Sequence, residues 1–334
     1  MKRTLAILFA GIMIFFASGC NKNEPASDSP ADIKEELPAE PVENEFYKAM
    51  QTNFRPIAVM IDNDDYRARP QLGLESAYMV YEIVVEGGAT RFMALFNNAH
   101  MEKVGPVRSA RHYFLDYALE HDARYVHAGW SDKAAAEIKS RGVDNINGIT
   151  ESIFWRDKAY DNTWHNLYTG LDKAEELADK KGYRNTTTKK PFEYLKNFET
   201  PNGTDALYLS VPYANFYEVE FKYNADTQLY ERYVNGKAHM SQTGEALTAK
   251  NIIVYSLINV PLNDGIYAPR QDVKNVGSGE GYYLSQGKAV KLTWSKPDRS
   301  SVTEYTLENG EKLKLNPGNT YVQIAPEAVG YTIK

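Results

Sequence analysis

Cysteine is nearly absent from this chain, because Cys20 is the single cysteine among 334 residues. One thiol cannot form an intramolecular disulfide, and it cannot build a zinc site from several cysteines. A lone cysteine is more often a small buried hydrophobe than a functional group. The position of Cys20, directly after an apolar N-terminal segment, favours a different interpretation.

The sequence also lacks an excess of positive charge. Its 38 Lys and Arg residues are outnumbered by 44 Asp and Glu residues, which gives a formal net charge of −6. Removal of a leader that carries Lys2 and Arg3 lowers this charge to −8. Binding of nucleic acid requires net or strongly local positive charge to neutralise phosphates. We therefore expect no nucleic-acid partner.

The apolar run at the N-terminus, residues 4–16, is too short to span a bilayer, which takes about 20 residues. It follows a basic head and precedes Ala17-Ser18-Gly19 and then Cys20. This order is typical of a secretory signal, and the small residues resemble those before the lipidated cysteine of bacterial lipoproteins. We predict a signal peptide over residues 1–19 and a palmitate-bearing Cys20. A cleaved signal with an incidental cysteine is the alternative.

Residues 20–52 have few large apolar side chains and scattered acidic residues, and they contain Pro25, Pro30, Pro38 and Pro41. Such a segment cannot bury enough apolar surface to offset the entropy lost on ordering. We predict a disordered tether that follows the lipidated cysteine. The folded part would then work at the extracytoplasmic face of the bacterial cell membrane, with the membrane as its first partner.

The segment 53–198 combines buried strands with short helices. The continuous apolar run over residues 56–62 is typical of a strand that is buried on both faces. Residues 77–85 and 91–96 are further strands, joined by a hairpin around Gly87-Gly88. Three hydroxyl residues stand where helices begin: Ser109, Ser131 and Thr169. We predict a layered α/β domain.

The segment 204–334 consists almost entirely of strand patterns. Residues 217–223 alternate between apolar and charged side chains, and Asn235-Gly236 is a hairpin turn. Residues 252–257, 289–294 and 320–324 are further strands. We predict a mainly antiparallel β domain. We therefore predict a mixed α/β (α+β) fold class for the whole chain, with a layered α/β domain followed by a mainly antiparallel β domain.

Acidic residues follow the first predicted strand, at Asp62-Asn63-Asp64-Asp65. Ligands of open α/β sheets bind outside the carboxyl ends of the strands. A calcium loop of the EF-hand type is disfavoured, because Tyr66 and Arg67 stand where that loop needs Asp or Asn and then Gly. The pattern indicates no cofactor, and a divalent metal at Asp62 has no support from it.

Arg108, Arg111 and His112 are spaced i, i+3 and i+4 at a predicted helix start, where free N–H groups already attract anions. Two guanidinium groups there would bind a phosphate or carboxylate. Glu82 and Glu86 are four residues apart and are predicted to share one strand face. We favour them as counter-ions of the arginines over an acid/base pair. Whether they neutralise all of the positive charge stays open.

Loops near residues 155–168 mix aromatic and polar side chains, which suits sugar binding and packed surface loops equally well. A histidine on a buried strand, such as His127, is more often a core residue than a ligand-binding one. The candidate ligand-binding residues are Asp62, Asn63, Arg69, Glu82, Glu86, Arg91, Arg108, Arg111, His112, His127, Arg156, His165 and Asn166.

Several segments of the chain resemble those of the YerB-like bacterial lipoproteins, whose two halves are domains of unknown function. The similar segments span residues 55–63, 68–71, 73–74, 80–82, 86–88, 90–92, 105–111, 154–157 and 165–168. The chain departs from the family at Trp164, where proline is usual, and at Tyr321, where tryptophan is usual. The resemblance implies an extracytoplasmic location and supplies no established reaction.

Three functions fit these observations. The first, which we favour, is a binding lipoprotein with an Arg-rich cleft for an anionic or polyhydroxylated envelope ligand, such as a glycan, a teichoic-type polymer or a lipid-linked phosphate. The second is an envelope hydrolase or phosphotransferase that uses Asp62 and the arginines. The third is a scaffold that binds only a protein partner. No Walker, Rossmann, nucleophile-elbow or zinc motif decides whether the chain is an enzyme.

Overall fold

The computed structural model of the chain describes residues 43–265 and 269–334. The predicted signal peptide, Cys20 and the first part of the predicted tether lie outside the described residues. Within the part that is described, no helix is both long enough and apolar enough to cross a membrane.

The predicted tether ends earlier than residue 52, because a short helix, α1 (Glu45–Met50), forms within it. The Asn44 side chain accepts hydrogen bonds from the N–H groups of Phe46 and Tyr47 and so caps this helix. The Phe46 ring packs edge-on against Tyr194 at 5.4 Å. Capping and this aromatic contact order a segment whose composition alone predicts disorder.

The first half of the chain contains the longer helices together with eight strands of the described residues. The helices are α2 (His112–Glu120), α3 (Asp132–Ser140) and α4 (Leu171–Lys180). The strands are β1 (Ile57–Asn63), β2 (Met79–Val84), β3 (Thr90–Phe96), β4 (Arg124–His127), β5 (Asn145–Asn147), β6 (Trp155–Arg156), β7 (Leu167–Tyr168) and β8 (Glu193–Tyr194). Short 3-10 helices occupy Tyr66–Ala68, Leu74–Ser76 and Glu86–Gly88.

The second half, as far as the structure describes it, is built from strands. They are β9 (Thr204–Asp205), β10 (Tyr208–Ala214), β11 (Tyr217–Asn224), β12 (Leu229–Val234), β13 (Lys237–Ala238), β14 (Thr248–Ala249), β15 (Asn251–Leu257), β16 (Asn259–Pro261), β17 (Gln271–Val273), β18 (Gly277–Ser285), β19 (Lys288–Lys296), β20 (Glu304–Leu307), β21 (Lys314–Leu315), β22 (Thr320–Pro326) and β23 (Thr332–Ile333). The fold class predicted from the sequence, mixed α/β with a mainly β second half, is confirmed.

Eleven strands of the described chain form one mixed sheet, in the order β20-β19-β18-β15-β22-β2-β3-β1-β4-β5, with β9 paired to β19. Strands β2 and β22 are parallel neighbours, with Met79 opposite Thr320, and they join the two halves of the chain. The predicted segments 53–198 and 204–334 therefore contribute to the same sheet. The boundary between them stays a prediction.

A second sheet covers part of one face of the main sheet. It contains six strands of the described residues, in the order β13-β12-β11-β10-β23 with β14 paired to β12. Its apolar side chains share one core with α4 and with Ile57, Val59 and Ile61 of β1. The alternate β1 residues, Ala58 and Met60, pack on the opposite face against α2 and α3. Every residue of β1 is buried because both faces are covered.

Two of the three predicted helix caps are wrong. Ser131 does cap α3, where its Oγ accepts a hydrogen bond from the N–H of Ala134. Helix α2, however, begins after Arg111, because the Ser109 hydroxyl donates to the carbonyl oxygen of Ala128 instead. Helix α4 begins after Gly170, one residue later than a cap at Thr169 requires.

Candidate functional site

The carboxyl ends of β1, β4 and β5 meet at one edge of the main sheet, because these neighbouring strands are parallel. The segment that precedes α2 crosses this edge. Its Arg108 N–H donates to the carbonyl oxygen of Met60, and its carbonyl oxygen accepts from the N–H of Ala128. Arg108 is thus held between the ends of β1 and β4. We call this region the strand-end edge; it is where α/β sheets commonly bind ligands.

Six charged side chains alternate in sign along the strand-end edge. We define this arginine–carboxylate cluster as Asp62, Arg108, Asp64, Arg91, Glu86 and Arg111. Arg108 Nε lies 2.8 Å from Asp62 Oδ2, and the same guanidinium also contacts Asp64. At the other end of the cluster, Arg111 Nε donates to Glu86 Oε1 at 2.6 Å. Three arginines and three carboxylates leave it with no net charge.

Arg91 occupies the middle of the cluster and joins its two ends. Its Nη2 lies 3.4 Å from Asp64 Oδ1 and 4.0 Å from Glu86 Oε2. Its Nη1 donates to the carbonyl oxygen of Ser109 at 2.6 Å. Arg91 is buried, whereas 18% of the Arg108 side chain is exposed. The buried Arg91 therefore holds the cluster in place, and the cluster is open to solvent along one side.

The cluster keeps Asp64 and Glu86 ionised. Burial alone would raise the pKa of Asp64, but the charges of Arg91 and Arg108 outweigh burial and hold this pKa below its ordinary value. Burial likewise opposes ionisation of Glu86, and the hydrogen bond and charge of Arg111 lower its pKa overall. These groups are hydrogen-bond acceptors at neutral pH and are poorly suited to donate a proton.

His165 approaches the buried end of the cluster, with Nδ1 2.7 Å from Asp62 Oδ2. The indole N–H of Trp164 donates to His165 Nε2, so the ring proton lies on Nδ1 and is donated to Asp62. The Trp164 ring covers Arg108, whose guanidinium carbon is 5.3 Å from the ring centroid. This ring is 60% exposed. A large aromatic surface therefore lies beside the open side of the cluster.

Trp130 adds a second exposed aromatic side chain at the strand-end edge. It follows β4, is 42% exposed, and packs against the His127 ring at 5.7 Å. His127 itself is buried. Its Nδ1 is 2.8 Å from the carbonyl oxygen of Gly129, and its Nε2 is 3.2 Å from Asn145 Oδ1. Burial lowers the pKa of His127, and we assign it to the core beneath Trp130.

Glu82 belongs to a separate group of polar side chains that is closed to solvent. Its Oε2 accepts a hydrogen bond from Arg232 Nη2 at 2.8 Å, and both side chains are fully buried. Its Oε1 accepts from the hydroxyls of Tyr217 at 2.7 Å and Thr90 at 2.8 Å. We define the buried network as Asn63, Gln71, Glu82, Thr90, Tyr217, Arg232 and His239.

The buried network connects the two halves of the chain through His239. Arg232 Nη1 donates to His239 Nδ1, and His239 Nε2 donates to Gln71 Oε1 at 2.6 Å. Asn63 Nδ2 donates to the Tyr217 hydroxyl at 2.5 Å. Burial, followed by the positive charge of Arg232, lowers the pKa of His239 far below its ordinary value. The histidine is therefore neutral.

The structure corrects two expectations about the charged residues. Glu82 and Glu86 do not share a face, because β2 ends at Val84 and Glu86 lies in the following 3-10 helix. Of these two glutamates, only Glu86 is a counter-ion in the arginine–carboxylate cluster. His112 also leaves that cluster, since its Nε2 lies 2.7 Å from Asp272 Oδ1 near β17.

The remaining candidates lie around the strand-end edge. Arg156 is exposed, and its Nη1 donates to Asn166 Oδ1 at 2.8 Å. Asn166 is buried and donates from Nδ2 to the carbonyl oxygen of Asp161 at 2.6 Å. Arg69 donates from Nη1 to Asn63 Oδ1 at 2.7 Å. Asn63 thus belongs to the buried network, and Arg69 borders that network instead of the arginine–carboxylate cluster.

Sequence reasoning missed the members of the buried network that lie in the second half. Arg232 is fully buried in β12, between the buried residues Tyr230 and Val234. A charged residue at an inward position of an alternating strand is a signal that could have identified it. Tyr217 and His239 carry no such signal, because isolated tyrosines and histidines are common in β structure.

The arrangement of the arginine–carboxylate cluster suits recognition of hydroxyl groups. Carboxylate oxygens accept hydrogen bonds from hydroxyls, and guanidinium N–H groups donate to them. Alternating donors and acceptors can therefore satisfy neighbouring hydroxyls of one sugar ring. A cation at Asp62 would meet the positive charge of Arg108, which disfavours the metal that the sequence already left without support.

Comparison with known proteins places the chain in a family. Residues 45–184 match the "Protein of unknown function (DUF3048) N-terminal domain", and residues 209–322 match the corresponding C-terminal domain. The "Putative lipoprotein YerB" of Bacillus subtilis (strain 168) is 29% identical over 341 residues, covering 98% of this chain and 96% of that protein.

A solved structure agrees with these matches. The crystal structure of the YerB protein from Bacillus subtilis has a TM-score of 0.75 and 28% sequence identity to this chain. The similarity covers 88% of this chain and 100% of the other. The resemblance inferred from sequence segments is confirmed: this chain belongs to the YerB-like, two-domain DUF3048 family.

Proposed function

We propose that this chain is a lipoprotein of the bacterial cell envelope that binds a polyhydroxylated ligand at the strand-end edge. Its anchor would be the acylated Cys20, and its place the extracytoplasmic face of the cell membrane. The order of basic head, apolar run, small residues and cysteine supports this location. The printed name of the Bacillus subtilis relative, which calls that protein a putative lipoprotein, supports it as well.

One observation carries the ligand proposal. The positive and negative charges of the arginine–carboxylate cluster cancel, yet the cluster is open to solvent along one side. A polyanion would have to displace carboxylates that already hold the arginines, with Arg108 between Asp62 and Asp64. A glycan requires no such displacement, because its hydroxyls can bond to donors and acceptors that stay paired with each other. Charge balance thus favours a polyhydroxylated ligand over a polyanionic polymer.

The exposed indoles support the same class of ligand. Trp164 lies directly over Arg108, and Trp130 lies at the end of β4 on the same edge. Aromatic faces bury the apolar side of a sugar ring, while neighbouring polar groups bind its hydroxyls. A flat aromatic surface beside paired charges is therefore expected to select a ring that bears hydroxyl groups.

Calorimetric titration of the full-length protein in detergent micelles with tetra-N-acetylchitotetraose (chitotetraose below), a neutral envelope-type glycan, tests this proposal. We expect saturable binding that Trp164→Ala weakens at least about tenfold, because removal of a stacking surface costs about 1–2 kcal/mol. Phe198→Ala, which removes an aromatic ring that is 51% exposed in another part of the chain, is the matched control and should bind normally. Equal weakening by both variants would contradict the proposal.

A second candidate function, an envelope hydrolase, rests on the Asp62–His165 hydrogen bond. An aspartate that orients a histidine is one half of a general-base arrangement. In this structure the second ring nitrogen accepts the Trp164 indole N–H, which would have to move before His165 could act on a substrate. Mass spectrometry of chitotetraose incubated with the full-length protein would reveal cleavage. Loss of that cleavage in His165→Gln would favour the enzyme.

The third function, a scaffold for a protein partner, predicts a different result. If the cluster only holds loops in place, glycans should not bind, and Trp164→Ala should leave every small-molecule titration unchanged. The calorimetric experiment therefore separates the binding proposal from the scaffold, and it does not require the protein partner to be identified.

A further inference from the structure

Arg69 lies beside the buried network, next to Asn63 at the end of β1. Its Nη1 donates to Asn63 Oδ1 at 2.7 Å, and its guanidinium carbon is 5.3 Å from the centroid of the Tyr217 ring. The side chain is partly buried and partly open to solvent. Arg69 is thus held in place by an amide oxygen and an aromatic ring.

Arg69 differs from the arginines of the cluster and of the buried network in having no counter-ion. Within residues 43–265 and 269–334, it forms no ion pair with any carboxylate. Arg91, Arg108 and Arg111 are all paired in the cluster, and Arg232 is paired with Glu82. Arg69 therefore carries a positive charge that has no carboxylate of the described chain in ion-pair contact, and Glu82 and Asp65 act on it only from farther away.

The surroundings of Arg69 make this imbalance costly. Glu82 is the carboxylate of the neighbouring buried network. It already forms an ion pair with Arg232, whose Nη2 lies 2.8 Å from Glu82 Oε2. Burial lowers the pKa of Arg69, the ionisable Tyr217 hydroxyl opposes this change, and the like charge of Arg232 lowers the pKa further. Burying a charge without an ionic partner is unfavourable. An anion that reached the open side of Arg69 would relieve this cost.

Arg69 and the cluster meet at the end of β1, although Asn63 and Asp62 point to opposite faces of that strand. The connecting segment contains Asp65, whose Oδ2 lies 3.6 Å from His165 Nε2 and whose negative charge also acts on Arg69. Asp65 is thus a neighbour of both Arg69 and His165, and we take a ligand beside Trp164 to extend past Asp65 to Arg69.

We propose that Arg69 binds a single anionic group, a carboxylate or a phosphate, on a glycan whose neutral rings lie along the arginine–carboxylate cluster. The ligand class is therefore an acidic glycan with isolated charges. This inference rests on the proposed glycan-binding function and deepens it. A polyanion is not implied, because one unpaired guanidinium balances one negative group.

Parallel calorimetric titrations of the full-length protein in micelles test the inference with four compounds. Chitotetraose is the neutral probe, a hyaluronan tetrasaccharide carries carboxylates, and N-acetylglucosamine 1-phosphate is compared with N-acetylglucosamine for the phosphate. We expect one acidic probe to bind about tenfold more tightly than its neutral counterpart, as a charge-assisted hydrogen bond implies. The acidic probe that shows the preference identifies which anionic group is recognised.

Substitution of Arg69 assigns the preference to this side chain. Arg69→Gln should reduce the preference for the acidic probe to less than about twofold without weakening binding of the neutral probe. Arg69→Lys keeps the positive charge and should therefore keep a preference of at least about threefold. Arg67→Gln is the matched control: this arginine lies in the same segment but is paired with Asp65, so the preference should stay. Thermal melts would verify that each variant is folded.

The outcomes separate this inference from the proposed function. If the neutral probe binds but the acidic probes gain nothing, or if Arg69→Gln keeps the preference, the Arg69 inference is overturned and the glycan-binding function stands. If no glycan binds to the unaltered protein, both are overturned.

Discussion

Asp62 and Asn63 are neighbours in β1, but their side chains enter two different polar regions. Asp62 belongs to the arginine–carboxylate cluster, which is open to solvent along one side, and Asn63 belongs to the buried network. Both regions contain carboxylates held by arginines. The two regions thus hold the same pair of chemical groups and differ in how deeply these groups are buried.

In the buried network, pairing has to be nearly complete, because each unpaired charge would lose its hydration without compensation. Glu82 therefore accepts hydrogen bonds at both oxygens, and its partners come from both halves of the chain. In the cluster, solvent supplements the pairs, so a ligand can replace that solvent. We infer that the network holds the two halves together and that the cluster is available for binding.

Removal of Arg232 should produce the largest effect on stability. Arg232→Met leaves Glu82 as a buried charge without its ionic partner, and loss of one member of a buried pair costs about 3–5 kcal/mol. Denaturant unfolding would measure this change. Lys237→Met, at an exposed position of the neighbouring β13, is the control and should change stability by less than about 0.5 kcal/mol. An equally small change in stability for Arg232→Met would contradict a structural role of the buried network.

Acidification should affect the two regions in different pH ranges. The pKa of His239 in the folded protein lies below its ordinary 6.5, so the unfolded chain takes up a proton first and stability falls as pH drops below about 6.5. The pKa of Glu86 lies below its ordinary 4.5, so its contribution is present above about 4.5 and is lost only at lower pH.

Unfolding free energies measured at several pH values would separate these ranges. We expect His239→Gln to flatten the decline between about pH 6.5 and 4.5, and Glu86→Gln to flatten it below about pH 4.5. The other buried histidines, such as His121, contribute equally to both variants and cancel in the comparison. If both substitutions acted in the same range, the two regions would not be electrostatically distinct.

Arg111→Gln should cost less stability than Arg232→Met. The Arg111 side chain is 11% exposed and its partner Glu86 is 20% exposed, so solvent screens their interaction. We expect a loss of about 1–2 kcal/mol and at least about fivefold weaker chitotetraose binding. A loss of about 3–5 kcal/mol with unchanged binding would show that the cluster is structural, as the network is.

The smallest effect is expected from Arg156→Gln. This arginine is exposed, and among the described residues its side chain hydrogen-bonds to the Asn166 amide. A surface substitution of this kind changes stability by less than about 0.5 kcal/mol. Chitotetraose affinity should fall less than for Arg111→Gln in the same titration. A larger fall would move the centre of the binding surface towards residues 155–168.

The sequence predicts β1 and its acidic end well, because a continuous apolar run has one simple explanation and strand ends follow from it. It also predicts that Glu86 pairs with an arginine. Local patterns cannot reveal that Glu82 pairs with Arg232, since 150 positions separate them and only the fold brings them together. The sequence could not predict that both halves share the main sheet for the same reason, because β2 pairs with β22, which lies far along the chain.

The helix starts show the limit of local rules. Ser109 and Thr169 have the right residue type for a cap, but tertiary hydrogen bonds occupy them, and the Ser109 hydroxyl bonds to Ala128 at the strand-end edge. Arg108, the residue before Ser109, bonds through its backbone to Met60 and Ala128 and so lies between the same two strand ends. The unexpected geometry is therefore part of the candidate site.

Fluorine NMR of the full-length protein labelled with 5-fluorotryptophan tests the central claim most directly. The chain has four tryptophans, and substitution of each by phenylalanine assigns its resonance. We predict that chitotetraose shifts the Trp164 and Trp130 resonances, which report on the strand-end edge, and leaves that of Trp294, which is buried in the second half, unchanged. A saturating titration that moves neither Trp164 nor Trp130 would contradict the claim that the cluster binds a glycan.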